Sequence, residues 1–275
     1  MRLHLHLLSD STGETLENIA KAALAQYDDV ETIRHFWPMV RSEAHLERIL
    51  QEIAHNPGLV LFTLVSGEMR RALETRCRAL GLPAVAPLDP VNDALSNLLG
   101  QQAKARPGRQ HVLDAAYFAR VDAIQFTIAH DDGIGWENWE EADIVLAGVS
   151  RTSKTPTSIY LANRGVKTAN IPIVPGIPLP AQLEQLKRPL VVGLVASPER
   201  IVQLRENRIL SLNAGGRDNS YVDKAAIADE IATTRKLCAR RGWPIIDVTR
   251  RSIEETAAAI MTLQAAAKAR KDAAE

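Results

Sequence analysis

Short apolar runs alternate along this chain with amphipathic helical stretches, and that rhythm constrains the fold more than any other feature. Leu3–Leu8 reads as a strand. Ser11 followed by Glu14 has the spacing of a capping box, so a helix is expected from Glu14 to about Tyr27. A second strand is expected over Glu31–Phe36. Leu46, Ile49, Leu50 and Ile53 then recur at helical spacing. Leu59–Val65 is a buried-looking strand, and Glu68–Leu80 the helix after it. Strands separated by helices pair in parallel, because the crossover returns each strand in the same direction. The rhythm resumes further on. One helix carries Leu113, Tyr117, Val121, Ile124 and Ile128 on one face. Strands are expected at Ile144–Ala147 and near Lys167–Ile173, Leu190–Val195 and Trp243–Val248. Helices are expected at Thr155–Asn163, Pro198–Leu210, Lys224–Arg241 and Ile253–Lys268, the last opened by a capping box of Ser252 and Glu255. Between the two halves, 101–110 is polar and contains Lys104, Arg106, Pro107, Gly108 and Arg109. We place a domain boundary there. The expected fold class is α/β: an N-terminal βαβ domain over 1–105, and a second α/β domain over 106–275 with a mostly parallel sheet.

Charge narrows the function. Lys plus Arg and Asp plus Glu balance at 33 each. No general affinity for nucleic acid or an anionic membrane is expected from that balance, so recognition must be local. The longest apolar runs are strand-length, too short to span a bilayer, and the start of the chain is too soon polar for a signal peptide. Only two cysteines occur, Cys77 and Cys238, far apart in sequence. That usage fits a reducing compartment, so a cytoplasmic protein is expected.

The chemistry concentrates in one segment. Ile144–Ala147 runs into Gly148-Val149-Ser150-Arg151-Thr152-Ser153-Lys154-Thr155, and a helix follows. This is the layout of a phosphate-binding loop, Gly-x4-Gly-Lys-Ser/Thr, with Ser153 at the second glycine. Phosphate oxygens are gripped by backbone N–H groups, so the chain must approach closely. The helix that follows offers further N–H groups and a positive dipole end. Lys154 would bring a compact positive charge to the terminal phosphates and Arg151 a bidentate contact. Thr155 would place its hydroxyl on Mg²⁺. Pro156 suits a first helical turn. If the loop demands a positive φ at position 153, serine pays roughly 1 kcal/mol there. The plain alternative is a polar strand–turn–helix joint. No apolar strand after the loop ends in a metal-binding Asp, which argues against an ordinary ATPase.

Other clusters have both a functional and a structural reading. His130-Asp131-Asp132-Gly133 could supply a general base and a metal ligand, or simply end a helix. Ser9-Asp10-Ser11-Thr12-Gly13 could hold a second anion, or cap a helix. Arg205 and Arg208 share a helix face with Arg200 nearby and Arg217 beyond, which reads as a solvated face or as a contact to phosphate or a partner. His4 and His6 share one side of a strand, too few for a metal site on their own. Trp136 and Trp139 read as packing.

At Gly148–Ser158 the chain resembles the signature loop of the pyruvate, phosphate dikinase regulatory proteins, a family shared with the phosphoenolpyruvate synthase regulatory proteins. The likeness extends to Ser9–Thr15 and to Phe126–Gly133, and covers about Leu3 to Leu263. Ser153 resembles the dikinase branch. The resemblance implies a bifunctional enzyme: an ADP-dependent serine/threonine kinase acting on an active-site threonine of the dikinase and leaving AMP. It also implies a phosphorylase that removes the group with inorganic phosphate and releases pyrophosphate. On that reading Gly148–Thr155 cradles ADP, Lys154 steadies the phosphoryl group, Thr155 holds Mg²⁺, and an acid of His130-Asp131-Asp132, Asp132 for preference, serves as base. The 213–220 loop would order over the partner. A homodimer is expected by base rate. The alternatives are phosphoenolpyruvate synthase as target, an ATP-dependent small-molecule kinase, and a non-catalytic nucleotide sensor.

Overall fold

The computed structural model describes residues 2–104, 108, 114–174, 176–211 and 219–273. The chain divides into two compact units, Met1–Val112 and Leu113–Glu275. None of the described helices is long and apolar enough to cross a membrane.

The first unit runs β1 (Arg2–Ser9), α1 (Glu14–Leu24), β2 (Glu31–Trp37), α2 (Glu43–His55), β3 (Leu59–Thr63), α3 (Gly67–Ala79), β4 (Ala84–Val85) and α4 (Asp89–Leu99). Its sheet has the order β2-β1-β3-β4, parallel throughout. Alternate residues of each strand face opposite ways. Leu5, Leu7 and Leu61 pack on α1 through Leu16 and Ala20. Leu8, Val60 and Phe62 pack on α2 and α3 through Ile49, Ile53 and Leu73. Helices thus cover both faces, as parallel strands require.

Two expectations for this unit change. Ser11 does not cap α1: the residue before the helix is Gly13, left-handed at φ 83°, with no side-chain cap bond. The spacing was that of a capping box, but the turn out of β1 needs the φ that glycine adopts freely. The short β4 and α4 have no counterpart among the expected elements; α4 carries Val91, Leu95, Leu98 and Leu99 at helical spacing, yet buries none of its residues. His4 and His6 do face one way, and are joined by His35 and Trp37 from β2 in a stack of nearly parallel rings. His6 is held between the Asn56 carbonyl, 2.8 Å from Nε2, and the Trp37 indole N–H, 3.4 Å from Nδ1. Nδ1 therefore accepts and Nε2 donates, so the ring is neutral, and burial lowers its pKa.

The second unit runs α5 (Ala115–Ala129), a 3₁₀ turn (Trp136–Glu141), β5 (Ile144–Gly148), α6 (Lys154–Ala162), β6 (Thr168–Pro172), α7 (Gln182–Gln185), β7 (Leu190–Val195), α8 (Pro198–Ser211), a 3₁₀ turn (Asn219–Val222), α9 (Lys224–Arg241), β8 (Ile245–Asp247) and α10 (Ile253–Asp272). The sheet order is β6-β5-β7-β8, again parallel throughout. Ile144, Leu146, Val192 and Leu194 pack on α6 and α10 through Leu161, Ala257 and Ile260. Val149 and Val195 pack on α8 and α9 through Ile201, Ile227 and Ile231. Trp139 is fully buried with Phe126, Val145 and Ala169, as packing requires. Ser252 and Glu255 exchange both bonds of a capping box, at 2.8 and 3.1 Å.

The face expected for α5 is not the one it buries. Ala123, Phe126 and Thr127 point inward, while Ile128 is 65% exposed. Leu113 lies outside the described residues, as do Arg106, Pro107, Arg109, Arg217 and most of the 213–220 loop. Arg205 is also not on a solvated face. It is 2% exposed and forms a two-pronged pair with Glu230 of α9, at 3.2 and 2.7 Å. Cys77 and Cys238 are both free and buried, and burial pushes the Cys238 thiol up to about 11.

Candidate active site at the β5–α6 loop

The site stands where β5 ends between β6 and β7. Gly148 is the last residue of the strand, and a Cβ there would lie 2.3 Å from the Leu194 carbonyl oxygen and 3.0 Å from Thr152 Oγ1. The close pairing of β5 with β7 therefore admits only glycine. The chain then folds back on itself. Thr152 Oγ1 donates to the Val149 carbonyl at 2.9 Å, and Lys154 Nζ donates to the same oxygen at 3.0 Å. Arg151 and Ser153 are both left-handed, at φ 73° and 59°. Ser153 is the N-cap of α6 and makes no side-chain cap bond. Serine at the second-glycine position thus adopts the conformation a glycine would favour.

Lys154 is 6% exposed. Burial pulls its pKa down to about 8, against the opposing pull of Asp132 and Asp131. Holding the ammonium in so dry a place costs roughly 3 kcal/mol. Among the described residues its one hydrogen-bond partner is a carbonyl, so a cation with no carboxylate bonded to it stands at the start of a helix. The Arg151 Nε is buried with no hydrogen-bond partner. Arg151 and Ser150 also hydrogen-bond to Tyr221: burial raises the phenol's pKa, but these two bonds and the nearby Arg151 and Arg205 charges outweigh it and lower the value. Arg205 supports that tyrosine from below, its guanidinium 4.6 Å from the ring centre and donating to the Tyr221 carbonyl at 3.0 Å.

The structure gives the three residues of His130-Asp131-Asp132 different surroundings. His130 Nδ1 donates to the Phe126 carbonyl at 2.6 Å, and the ring stacks on Phe126 at 3.9 Å. A Cβ on Gly135 would strike its other edge at 2.7 Å. It is a buried end-piece of α5. Asp131 Oδ1 accepts from the Thr155 hydroxyl at 2.9 Å and from Asn170 Nδ2 at 2.5 Å. Asp132 is exposed and left-handed at φ 49°, with its N–H on Asn170 Oδ1 at 3.3 Å. Asn170, fully buried in β6, is the residue sequence reasoning missed. A polar amide in the middle of an apolar strand was the available signal, because such a group must be satisfied. One later strand, β8, does end in an acid, but Asp247 is taken up by Thr249 and Arg235; the acid beside Thr155 is Asp131, which arrives from upstream through folding.

Two oxygens 2.9 Å apart, a carboxylate and a hydroxyl at a helix start, are the hard donor set a magnesium ion takes. The unpartnered Arg151 Nε and the single-contact Lys154 ammonium fit an anion above the loop.

A parallel sheet with a glycine-tight strand end, a folded-back loop and a buried lysine on the first turn of the next helix defines the class: a parallel α/β protein with a cationic strand–loop–helix joint. Residues 5–261 match the family described as Kinase/pyrophosphorylase, and the chain belongs to that family. A protein of Sphingopyxis alaskensis named "Putative pyruvate, phosphate dikinase regulatory protein" is 71% identical over 95% of this chain and 97% of its own length. Proteins of the same name from Rhizorhabdus wittichii and Novosphingobium aromaticivorans are 67% and 69% identical, over 99% and 95% of this chain and 99% and 93% of theirs.

Proposed function

We propose that this chain transfers the β-phosphoryl group of ADP to an active-site threonine of pyruvate, phosphate dikinase, and removes it again with inorganic phosphate. The relatives' names supply the target, and the family supplies the paired kinase and pyrophosphate-forming chemistry. The observation that carries the reading is Lys154, a buried ammonium held by one carbonyl at the start of α6.

In the forward direction the threonine oxygen bonds to the β-phosphorus of ADP as the bond to the bridging oxygen breaks. AMP leaves with that electron pair, and the hydroxyl proton passes to a carboxylate. In the reverse direction a phosphate oxygen attacks the threonine phosphate, threonine takes up a proton, and pyrophosphate leaves. Backbone amides from Val149 to Thr155, with Arg151, bind and orient the phosphates, which is most of what phosphoryl transfer asks of a protein. Lys154 meets the charge that grows on the moving group. Thr155 and Asp131 would hold Mg²⁺, which neutralises phosphate charge when bound. Asp132, exposed beside the loop, is the base for the incoming hydroxyl, while His130 positions the turn. The two free, buried cysteines support a reducing, cytoplasmic setting.

The test is transfer from ADP labelled in its β-phosphate to purified dikinase, with phosphoenolpyruvate synthase and an ADP-free ATP reaction in parallel. Label on the dikinase threonine, absent with Lys154→Ala, is expected. Label on the synthase alone moves the target. Inhibition of the partner without label leaves a nucleotide sensor.

A further inference from the structure

The first unit has a site of its own that the phosphoryl chemistry does not use. A cavity of about 600 Å³ opens at the C-terminal ends of β1 and β3, lined on one side by Ser9–Ser11, Gly13 and Thr15, and on the other by Phe62–Val65 and Arg70. Its place in the sheet is informative. α1 leaves β1 toward one face and α3 leaves β3 toward the other. The two connections part and open a crevice between neighbouring strands, which is where open parallel sheets bind ligands. The second unit has the same strand order, with β5 and β7 in the corresponding positions and the β5–α6 loop at the parting.

The crevice is equipped to bind. Asp10 is buried and locked, its Oδ2 accepting from Val65 N–H at 2.7 Å. Ser9 Oγ accepts from Ser11 N–H at 3.1 Å and from Thr63 Oγ1 at 3.0 Å, so both walls are tied together beneath the opening. Ser11 is 8% exposed, and its own hydroxyl, on the cavity wall, meets no hydrogen-bond partner among the described residues. α1 starts from a left-handed Gly13 without a side-chain cap, the same entry that Ser153 gives α6. Its first N–H groups are thus left for a ligand.

The charges identify the ligand class. Glu14 holds the first helical position in α1, where α6 has Lys154. Arg70 is already neutralised by Asp89, whose carboxylate it grips with both nitrogens. Among the described residues of the lining, Asp10 and Asp93 outnumber Lys104, the cation that remains. Those residues offer a di- or triphosphate less positive charge than its own negative charge. One anionic group fits the donors of α1 and Ser11, and the acidic far wall of Asn92 and Asp93 fits an ammonium.

We propose that this cavity is a second small-molecule site, and that its ligand is a small zwitterion with one carboxylate or phosphate end and one ammonium end. Its occupancy would report metabolite level to a chain whose other unit handles phosphate.

The experiment uses the full chain carrying Lys154→Ala, which silences the β5–α6 loop, with backbone amides followed by NMR. The probes are L-serine and phosphoethanolamine; acetate, inorganic phosphate, ethylammonium and ADP serve as controls. Saturable shifts at Ser11, Gly13, Thr15 and Val65 with a zwitterionic probe are expected, at least tenfold tighter than with any control. Asp93→Asn should weaken the zwitterion several-fold and leave acetate unchanged, and Ser11→Ala should weaken both. A chain whose amides stay in place with every probe overturns the site. Acetate, phosphate or ADP binding as tightly as the zwitterions overturns the ligand class.

Discussion

Lys154 carries opposite consequences for stability and function. Its pKa of about 8 in the folded chain lies below the unfolded value near 10.4. Between those values the unfolded chain binds more protons, so stability rises with pH across that window. The cost of the buried ammonium is full below pH 8 and fades toward pH 10. Lys154→Met should therefore stabilise the chain by about 1–2 kcal/mol at pH 7, the lost bond to the Val149 carbonyl offsetting part of the gain. Urea unfolding should show that advantage shrinking by pH 9.5, while phosphoryl transfer is abolished. Nucleotide affinity of the unmodified chain should fall above pH 8, approaching tenfold per unit, because binding must then restore the proton; calorimetric titration from pH 7 to 9.5 reads this directly. The neighbouring acids separate in a different way. Asp131→Asn should weaken Mg²⁺-dependent nucleotide binding at least tenfold. Asp132→Asn should leave binding within about twofold and slow transfer on the order of 10², a split that binding and single-turnover measurements resolve.

At the scale of elements, the joint between β5 and α6 is set by two backbone demands. Gly148 must have no side chain, because the Leu194 carbonyl lies in the space. Gly148→Ala should cost at least about 2 kcal/mol by prising β5 from β7, with a matching fall in melting temperature. Ser153 has the opposite character: its φ of 59° is tolerated at a cost. Ser153→Gly should raise stability by about 0.5–1 kcal/mol and keep the loop competent for nucleotide. A lower melting temperature for that variant would mean the serine has a compensating contact in the folded chain. The helix entries show the same contrast. Ser252 and Glu255 cap α10 as their spacing implies. Ser11 and Glu14 have identical spacing, yet β1 turns into α1 through Gly13, and the turn decides the cap.

Across the whole molecule, each unit closes its own sheet with its own helices. All strand pairings of β5–β8 and the three clusters around them lie within the second unit. Residues 114–275 produced alone should unfold cooperatively and bind ADP with Mg²⁺; a fragment that lacks a cooperative transition would show that the first unit is needed to fold it.

The periodicity of apolar residues determined that the chain would be parallel α/β, because strand-length runs joined by helices have few other ways to bury their faces. The order Gly-x4-Ser-Lys-Thr after a strand marked the joint from β5 to α6, since the conformation of a strand–loop–helix turn requires little from elsewhere. What sequence could not decide was which distant groups meet. Asp131 reaches Thr155, and Asn170 reaches Asp131, only because α5 and β6 pack beside α6, and Arg205 is a buried pair only because α8 and α9 bring Glu230 to it. Those partnerships depend on the crossing of elements far apart in the chain, and no spacing along the sequence records them.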